Sequence, residues 1–173
     1  MQKILFLSLV YICQALAVCP QGFIEHEGSC YHVIRIQATW AEGRMYCHAY
    51  GSKFVGIETQ KENTFLVNYL KSIDKQTVKI NSFHLDQFHS ARFWIGGNDI
   101  AQTGTYIWEG TQLPLNAGYT NYYQGSPDNG GDDLEEHCME MSDRYNYEWN
   151  DNECKSKFYP ICEMSGEDAE IIG

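Results

Sequence analysis

The sequence predicts an α+β domain with two helices, short antiparallel strands and one long loop near its C-terminal end. Three observations carry that prediction. Two Thr-x-x-Glu signatures each precede a stretch of helical character. Several runs of aromatic and β-branched residues are too short for anything but strands. The segment from Leu115 to Glu136 is rich in Gly, Asn, Asp and Pro and has no regular period.

Taken in order, the chain opens with Lys3, an apolar run from Ile4 to Cys13 broken by Ser8, and Ala15-Leu16-Ala17. This is the pattern of a secretory signal cleaved after Ala17. The run falls short of the roughly 20 apolar residues that span a bilayer, so membrane insertion is not expected. The expected division is 1–17 signal peptide, 18–164 folded domain and 165–173 acidic tail. About 155 residues then remain, enough for one domain with a sizeable core.

Cys19 to Ile36 reads as a hairpin region. The first helix is predicted from Trp40 to about Tyr50, capped by Thr39 with Glu42 and stopped by Gly51. The second is predicted from about Gln60 to Lys71, capped by Thr59 with Glu62, with Phe65, Leu66, Tyr69 and Leu70 as its core stripe. Lys75 to Arg92 is irregular and polar and reads as a surface loop. Phe93 to Gly97 and Tyr106 to Trp108 read as buried strands around a turn at Ala101 to Gly104. Three more short strands follow: Cys138 to Met141, Tyr147 to Trp149 and Tyr159 to Cys162. Trp40, Trp94 and Trp108 are core candidates, and Trp149 is expected beside the site. The tail Glu167-Asp168-Ala169-Glu170 reads as solvated and disordered.

Charge and cysteines narrow the function. The net charge of −11 argues against nucleic acid or an anionic membrane as partner. Once Cys13 leaves with the signal, six cysteines remain: Cys19, Cys30, Cys47, Cys138, Cys154 and Cys162. An even number in a secreted chain implies a disulfide framework, and six cysteines allow fifteen connectivities. No zinc or redox spacing, nucleophile elbow or phosphate loop occurs, so an enzyme is not expected.

The chemistry concentrates in the long loop. Asp128, Asp132, Asp133, Glu135 and Glu136 are oxygen donors, and Asn129, Asn150, Asp151 and Asn152 add more. Calcium wants six to eight oxygen ligands at ~2.3–2.6 Å. Zinc would want nitrogen or sulfur, which the loop offers only at His137. Magnesium demands stricter octahedral geometry. A solvated acidic loop has the same composition, and composition alone does not separate the two readings.

Several ordered stretches resemble the C-type lectin family. Trp94-Ile95-Gly96-Gly97 is similar to its Trp-Ile-Gly-Leu motif, and Tyr106-Ile107-Trp108-Glu109-Gly110 to the strand that follows. Ser126-Pro127-Asp128 stands where the family has Glu-Pro-Asn or Gln-Pro-Asp. Glu136-His137-Cys138 resembles Glu-Asn-Cys, and Trp149-Asn150-Asp151 is the family's Trp-Asn-Asp unchanged. Tyr159-Pro160-Ile161-Cys162-Glu163 resembles its terminal strand. The set spans nearly the whole mature chain. Gly97-Asn98-Asp99-Ile100-Ala101 together with Ser126-Pro127-Asp128-Asn129 is most similar to short secreted arthropod lectins of the galactose-binding type.

The resemblance implies the C-type lectin fold, in its long form, with disulfides Cys47–Cys162, Cys138–Cys154 and Cys19–Cys30. It implies a calcium ion held by Ser126, Asp128, Glu136, Asn150 and Asp151, with Pro127 cis. The same side chains would bind two neighbouring sugar hydroxyls, so the ion bridges protein and glycan rather than catalysing. Protonating Asp128 or Glu136 would release both, because ligands must be deprotonated. Extracellular modules bind calcium at roughly 10⁻⁴–10⁻³ M.

Asp128 favours galactose-type over mannose-type glycans. No aromatic follows it in the loop, so Tyr145 or Tyr147 could stack on the sugar instead, with strand packing the equal alternative for either. Ser126 departs from the family's Glu or Gln, and its short hydroxyl is a weaker ligand. An accessory calcium site is not expected to be strong, since Thr103 and His137 replace carboxylates there while Asp99, Glu136 and Asn129 are retained. The implied role is recognition of microbial or self glycans, as in innate immunity, with clustering of copies for avidity. The alternative is a domain of the same fold that binds protein or mineral surfaces without sugar.

Overall fold

The computed structural model describes residues 19–80, 91–130 and 135–172, with side chains described except at 74–80 and 170–172. The signal-like segment, Asp132 and Asp133 lie outside these residues, as does much of the loop expected after Lys75.

The predicted hairpin region is β1 (Ile24–His26) and β2 (Ser29–Val33). Helix α1 spans Trp40–Ala49, and both halves of its capping box form: Thr39 accepts from the Glu42 N–H, and Glu42 accepts from the Thr39 N–H. After the short β3 (Lys53–Phe54), helix α2 spans Gln60–Ile80. It exceeds the expected end at Lys71, because no Gly or Pro interrupts residues 60–80 and a helix once begun extends cheaply. The reading of Lys75 onward as loop is corrected to helix as far as Ile80. Leu66 and Leu70 of the predicted stripe are fully buried, and Phe65 and Tyr69 pack partly exposed against the same core. At the start of α2, Thr59 accepts from the Glu62 N–H at 3.2 Å. The Glu62 carboxylate takes the Glu58 N–H instead, one residue further back, at 3.0 Å.

The remaining strands are β4 (Arg92–Asn98), β5 (Ile107–Trp108), β6 (Cys138–Ser142), β7 (Trp149–Asn152) and β8 (Tyr159–Ser165). They join in the order β1-β2-β8-β4-β6-β7, with β3 added on β8 and β5 on β4. All pairings are antiparallel, as expected, except β4 with β8, which is parallel. Between Trp94 and Asn98 the β4–β6 register slips. Gly97 lies within that stretch, where a Cβ would come 2.6 Å from Met139 and 2.8 Å from Leu115. The missing side chain lets the sheet close over Leu115, the buried foot of the long loop.

The disulfides are Cys19–Cys30, Cys47–Cys162 and Cys138–Cys154, the pairs that the resemblance implied. Cys47–Cys162 pins α1 to β8. Cys138–Cys154 ties the start of β6 to the segment after β7, across the base of the long loop.

A third helix, α3 (Gly166–Ile172), corrects the expectation of a disordered tail. Ser165 accepts from the Asp168 N–H at 3.1 Å. The helix turns Ala169 onto Cys30 and Met164, where it is buried. Among the described side chains, Ala169 supplies the apolar contact for a segment whose acidity suggested solvent.

Candidate metal and carbohydrate site

The site forms where the long loop returns to the β6–β7 edge of the sheet. Asp151 sits on β7 paired with Met139, and its carboxylate points into the protein side of the loop, fully buried. Loop backbone folds down on it. The Asp128 N–H donates to Asp151 Oδ2 at 3.0 Å and the Asn129 N–H to the same oxygen at 2.7 Å. Tyr106 donates its hydroxyl to the Glu136 carbonyl at 2.8 Å and lies 3.3 Å from Asp151 Oδ2. Tyr106 thus links the incoming arm of the loop base to β7. The sequence marked it only as a strand residue; in the structure it directly precedes β5.

Five predicted cation ligands are brought together by these contacts. One oxygen each from Asp128, Glu136 and Asp151 lie within 4.8 Å of one another. Ser126 donates its hydroxyl to the Asn150 side-chain oxygen in a short hydrogen bond. The Asn150 amide in turn donates to the Asp151 carbonyl, also in a short bond. The Ser126–Pro127 peptide is cis.

Electrostatics at the cluster tests whether a cation fits. Burial first, then the charges of Asp151 and Asp128, push the Glu136 carboxyl up to about 7. Three carboxylates this close repel one another, and a divalent ion is what relieves that repulsion. Asn129 adds a buried side-chain oxygen with no hydrogen-bond partner. Every donor is an oxygen, as a hard cation requires. The residues present therefore fit calcium. Behind the cluster, Arg92 clamps the buried Glu140 through Nε at 2.6 Å and a second, shorter contact. Glu140 pairs with Asn150 across β6–β7, so this clamp fixes the strand from which Asn150 projects.

The expected accessory position is differently built. Asp99 is buried, with Oδ1 2.8 Å from His137 Nδ1 and Oδ2 accepting the Gly104 N–H at 2.6 Å. Both carboxylate oxygens are engaged by protein groups, one of them by an imidazole. These residues do not fit a second calcium ion.

Tyr147 does not serve as a sugar platform. Asn146 and Tyr147 take φ of 52° and 63° in the β6–β7 turn, the mirror-image geometry that tight hairpins favour. That turn swings Tyr147 inward against Phe93, leaving it 3% exposed and out of reach of a sugar ring. It is not part of a strand either, since β7 begins at Trp149. Tyr145 keeps a partly exposed ring, packed at a tilt against Tyr123 with centroids 4.3 Å apart.

Comparisons with known proteins bear on the family and the fold. A gibbon (Hylobates lar) protein, "C-type lectin domain family 4 member M", is 31% identical over 83% of this chain, which spans 31% of its length. "Salivary C-type lectin 1" of the mosquito Aedes albopictus is 24% identical over 89% of this chain and 96% of its own length. The fold matches the cow CD23 carbohydrate-recognition domain, solved in the presence of GlcNAc2Man3 oligosaccharide. The TM-score is 0.65 at 23% identity, covering 86% of this chain and 96% of that one. Among the described residues no helix is long and apolar enough to cross a membrane. Residues 36–164 match the family described as Lectin C-type domain, and the chain belongs to that family.

Proposed function

We propose that this chain is an extracellular, calcium-dependent carbohydrate-binding domain that prefers galactose-type glycans and performs no chemistry on them. The observation that carries the reading is the convergence of Asp128, Glu136 and Asp151 within 4.8 Å. Ser126, Asp128, Glu136, Asn150 and Asp151 would hold the ion, and the ion would supply an electrostatic anchor for a pair of sugar hydroxyls. The protein's part is orientation. Asp151 keeps the loop folded through its backbone N–H bonds, and the Ser126–Asn150 contact aligns two donors on one side of the cluster. The three disulfides and the signal-like N-terminus support secretion. The oligosaccharide named with the CD23 domain supports the ligand class. Clustering of copies would supply avidity.

The test is isothermal titration of the mature domain with calcium, then with galactose and mannose in calcium and in EDTA. Expected is calcium-dependent binding, stronger for galactose and abolished by Asp128→Ala. A folded domain that takes up no calcium would overturn the reading in favour of a protein- or surface-binding domain of the same fold.

A further inference from the structure

Helix α1 is apolar on both sides. Its core side buries Trp40, Gly43 and Cys47. Its outer side is not the charged face that a surface helix ordinarily presents. Ala41, Met45 and Ala49 form one exposed ridge at i, i+4 and i+8, and Glu42, Tyr46 and Tyr50 form the next. Met45 is 71% exposed and Tyr50 51%. Tyr50 is held in place by ring contacts to His32 and Phe23, with centroids 5.5 and 6.3 Å away. Among the described residues, four of the seven exposed large hydrophobic side chains fall within 36–50: Ile36, Met45, Tyr46 and Tyr50. Single exposed apolar residues need no explanation, but a set gathered on one helix marks a contact surface.

Charge selects the occupant. Between Glu27 and Glu58 the sequence has one acidic residue, Glu42, in a chain of net charge −11. Two copies therefore repel one another least across this face. Arg44, the helix's arginine, is already paired with Glu109 at 2.6 Å and offers little to an acidic partner.

The face is also complementary to itself. Two copies of α1 laid antiparallel, with the two-fold axis between Met45 and Tyr46, bring each ridge against the other ridge of the second copy. Ala41 then faces Tyr50, Met45 faces Tyr46, and Ala49 faces Glu42, each pair being made twice. Small side chains oppose large ones at both ends, and a thioether meets an aromatic ring at the centre. The acidic first turn, at Glu42, lies beside the basic last turn, at His48, and the helix dipoles run in opposite directions. Glu42 already accepts the Thr39 N–H at 2.9 Å and stays at the rim.

We propose that α1 is a dimer interface through which two copies of this chain pair antiparallel, Met45 against Tyr46. One helix pair falls short of the ~1,200–2,000 Å² that stable interfaces bury, so the dimer is weak and forms as copies are concentrated. The pairing needs neither calcium nor sugar. It uses none of the candidate ligands, so it joins two sites without occupying either.

The test is sedimentation equilibrium of the mature chain from about 1 μM to about 1 mM, the range of a small interface. Expected is a dimer at the upper end. Met45→Glu and Tyr46→Lys should each raise the dissociation constant about tenfold or more, since each sets an unpaired charge at the centre of the contact. Near-ultraviolet circular dichroism of both variants should match wild type, which shows that the fold is kept. Mixed in equal amounts, the two variants should pair again, because the introduced carboxylate faces the introduced ammonium. A chain that is monomeric throughout, a dimer that survives both variants, or a mixture that fails to pair overturns the proposal. So does a monomeric chain held on phosphatidylcholine vesicles and released by Met45→Glu, which would assign the face to a lipid surface.

Discussion

Ser126 is the residue where this chain departs most from the pattern of its family, and its geometry explains what the departure does. Its hydroxyl donates to the Asn150 side-chain oxygen, so it can offer a cation only a neutral oxygen and no charge. A carboxylate at this position would reach the cluster and add a charge. Ser126→Glu should therefore tighten calcium binding by about tenfold, in line with how ligand charge tunes oxygen sites, as read by calcium titration. The candidate ligand residues stand out in the sequence, because Trp149-Asn150-Asp151 and Ser126-Pro127-Asp128 are contiguous words. The partners that build their setting were not. Tyr106, Arg92 and Glu140 reach the site through the sheet from distant positions, and nothing local in the sequence marks such pairings. Of the two tyrosines offered for the sugar, Tyr147 takes the packing alternative, because the left-handed turn aims it inward.

At the scale of elements, helix α2 opens on an unusual carboxylate. Burial, opposed by the Glu58 N–H and reinforced by the charge of Glu163, pushes Glu62 up to about 7 from about 4.5. The folded chain thus holds this proton more tightly than the unfolded chain does. The group favours folding at low pH, and that contribution is lost as pH rises from about 4.5 to about 7. Glu62→Gln keeps an acceptor for the Glu58 N–H and the Tyr31 hydroxyl while removing the buried charge. It should raise stability at pH 8 by about 1–3 kcal/mol and have little effect at pH 4, in paired denaturant melts.

Helix α3 shows why an element can be missed. Ser165 with Asp168 is the same Ser/Thr-x-x-acid signature that announced α1, but it was hidden in a run read only for its charge. With Ala169 buried to 2%, Ala169→Asp places an unpaired carboxylate against Met164 and should cost about 1–3 kcal/mol. Calcium titration of this variant should be unchanged, since α3 lies on the β2–β8 side of the sheet and the site on β6–β7.

For the whole molecule, the Cys47–Cys162 bridge closes a span of 115 residues that encloses α2, most of the sheet and the entire candidate site. In the chain-entropy account a loop of that size is worth about 4–5 kcal/mol. Replacing both cysteines by alanine should lower the denaturation midpoint by a corresponding amount and lower apparent calcium affinity with it, as the domain melts at lower denaturant. The fold class was legible because capping boxes, cysteine count and ordered motifs agreed. Sheet order was not, since the parallel β4–β8 contact joins strands that no local pattern relates.

The sheet also fixes a polarity. The first strand and the last helix gather at one edge: the Gly166 N–H donates to the Gly28 carbonyl at 2.7 Å, and Cys19 is bridged to Cys30 beside Met164. The candidate site lies on the strands at the other edge. The domain is therefore built like a plug, with Cys19 and Gly166 gathered at one edge of the sheet and the candidate site at the other. A tether at the Cys19 and Gly166 edge would leave the β6–β7 edge, which carries the candidate site, unencumbered.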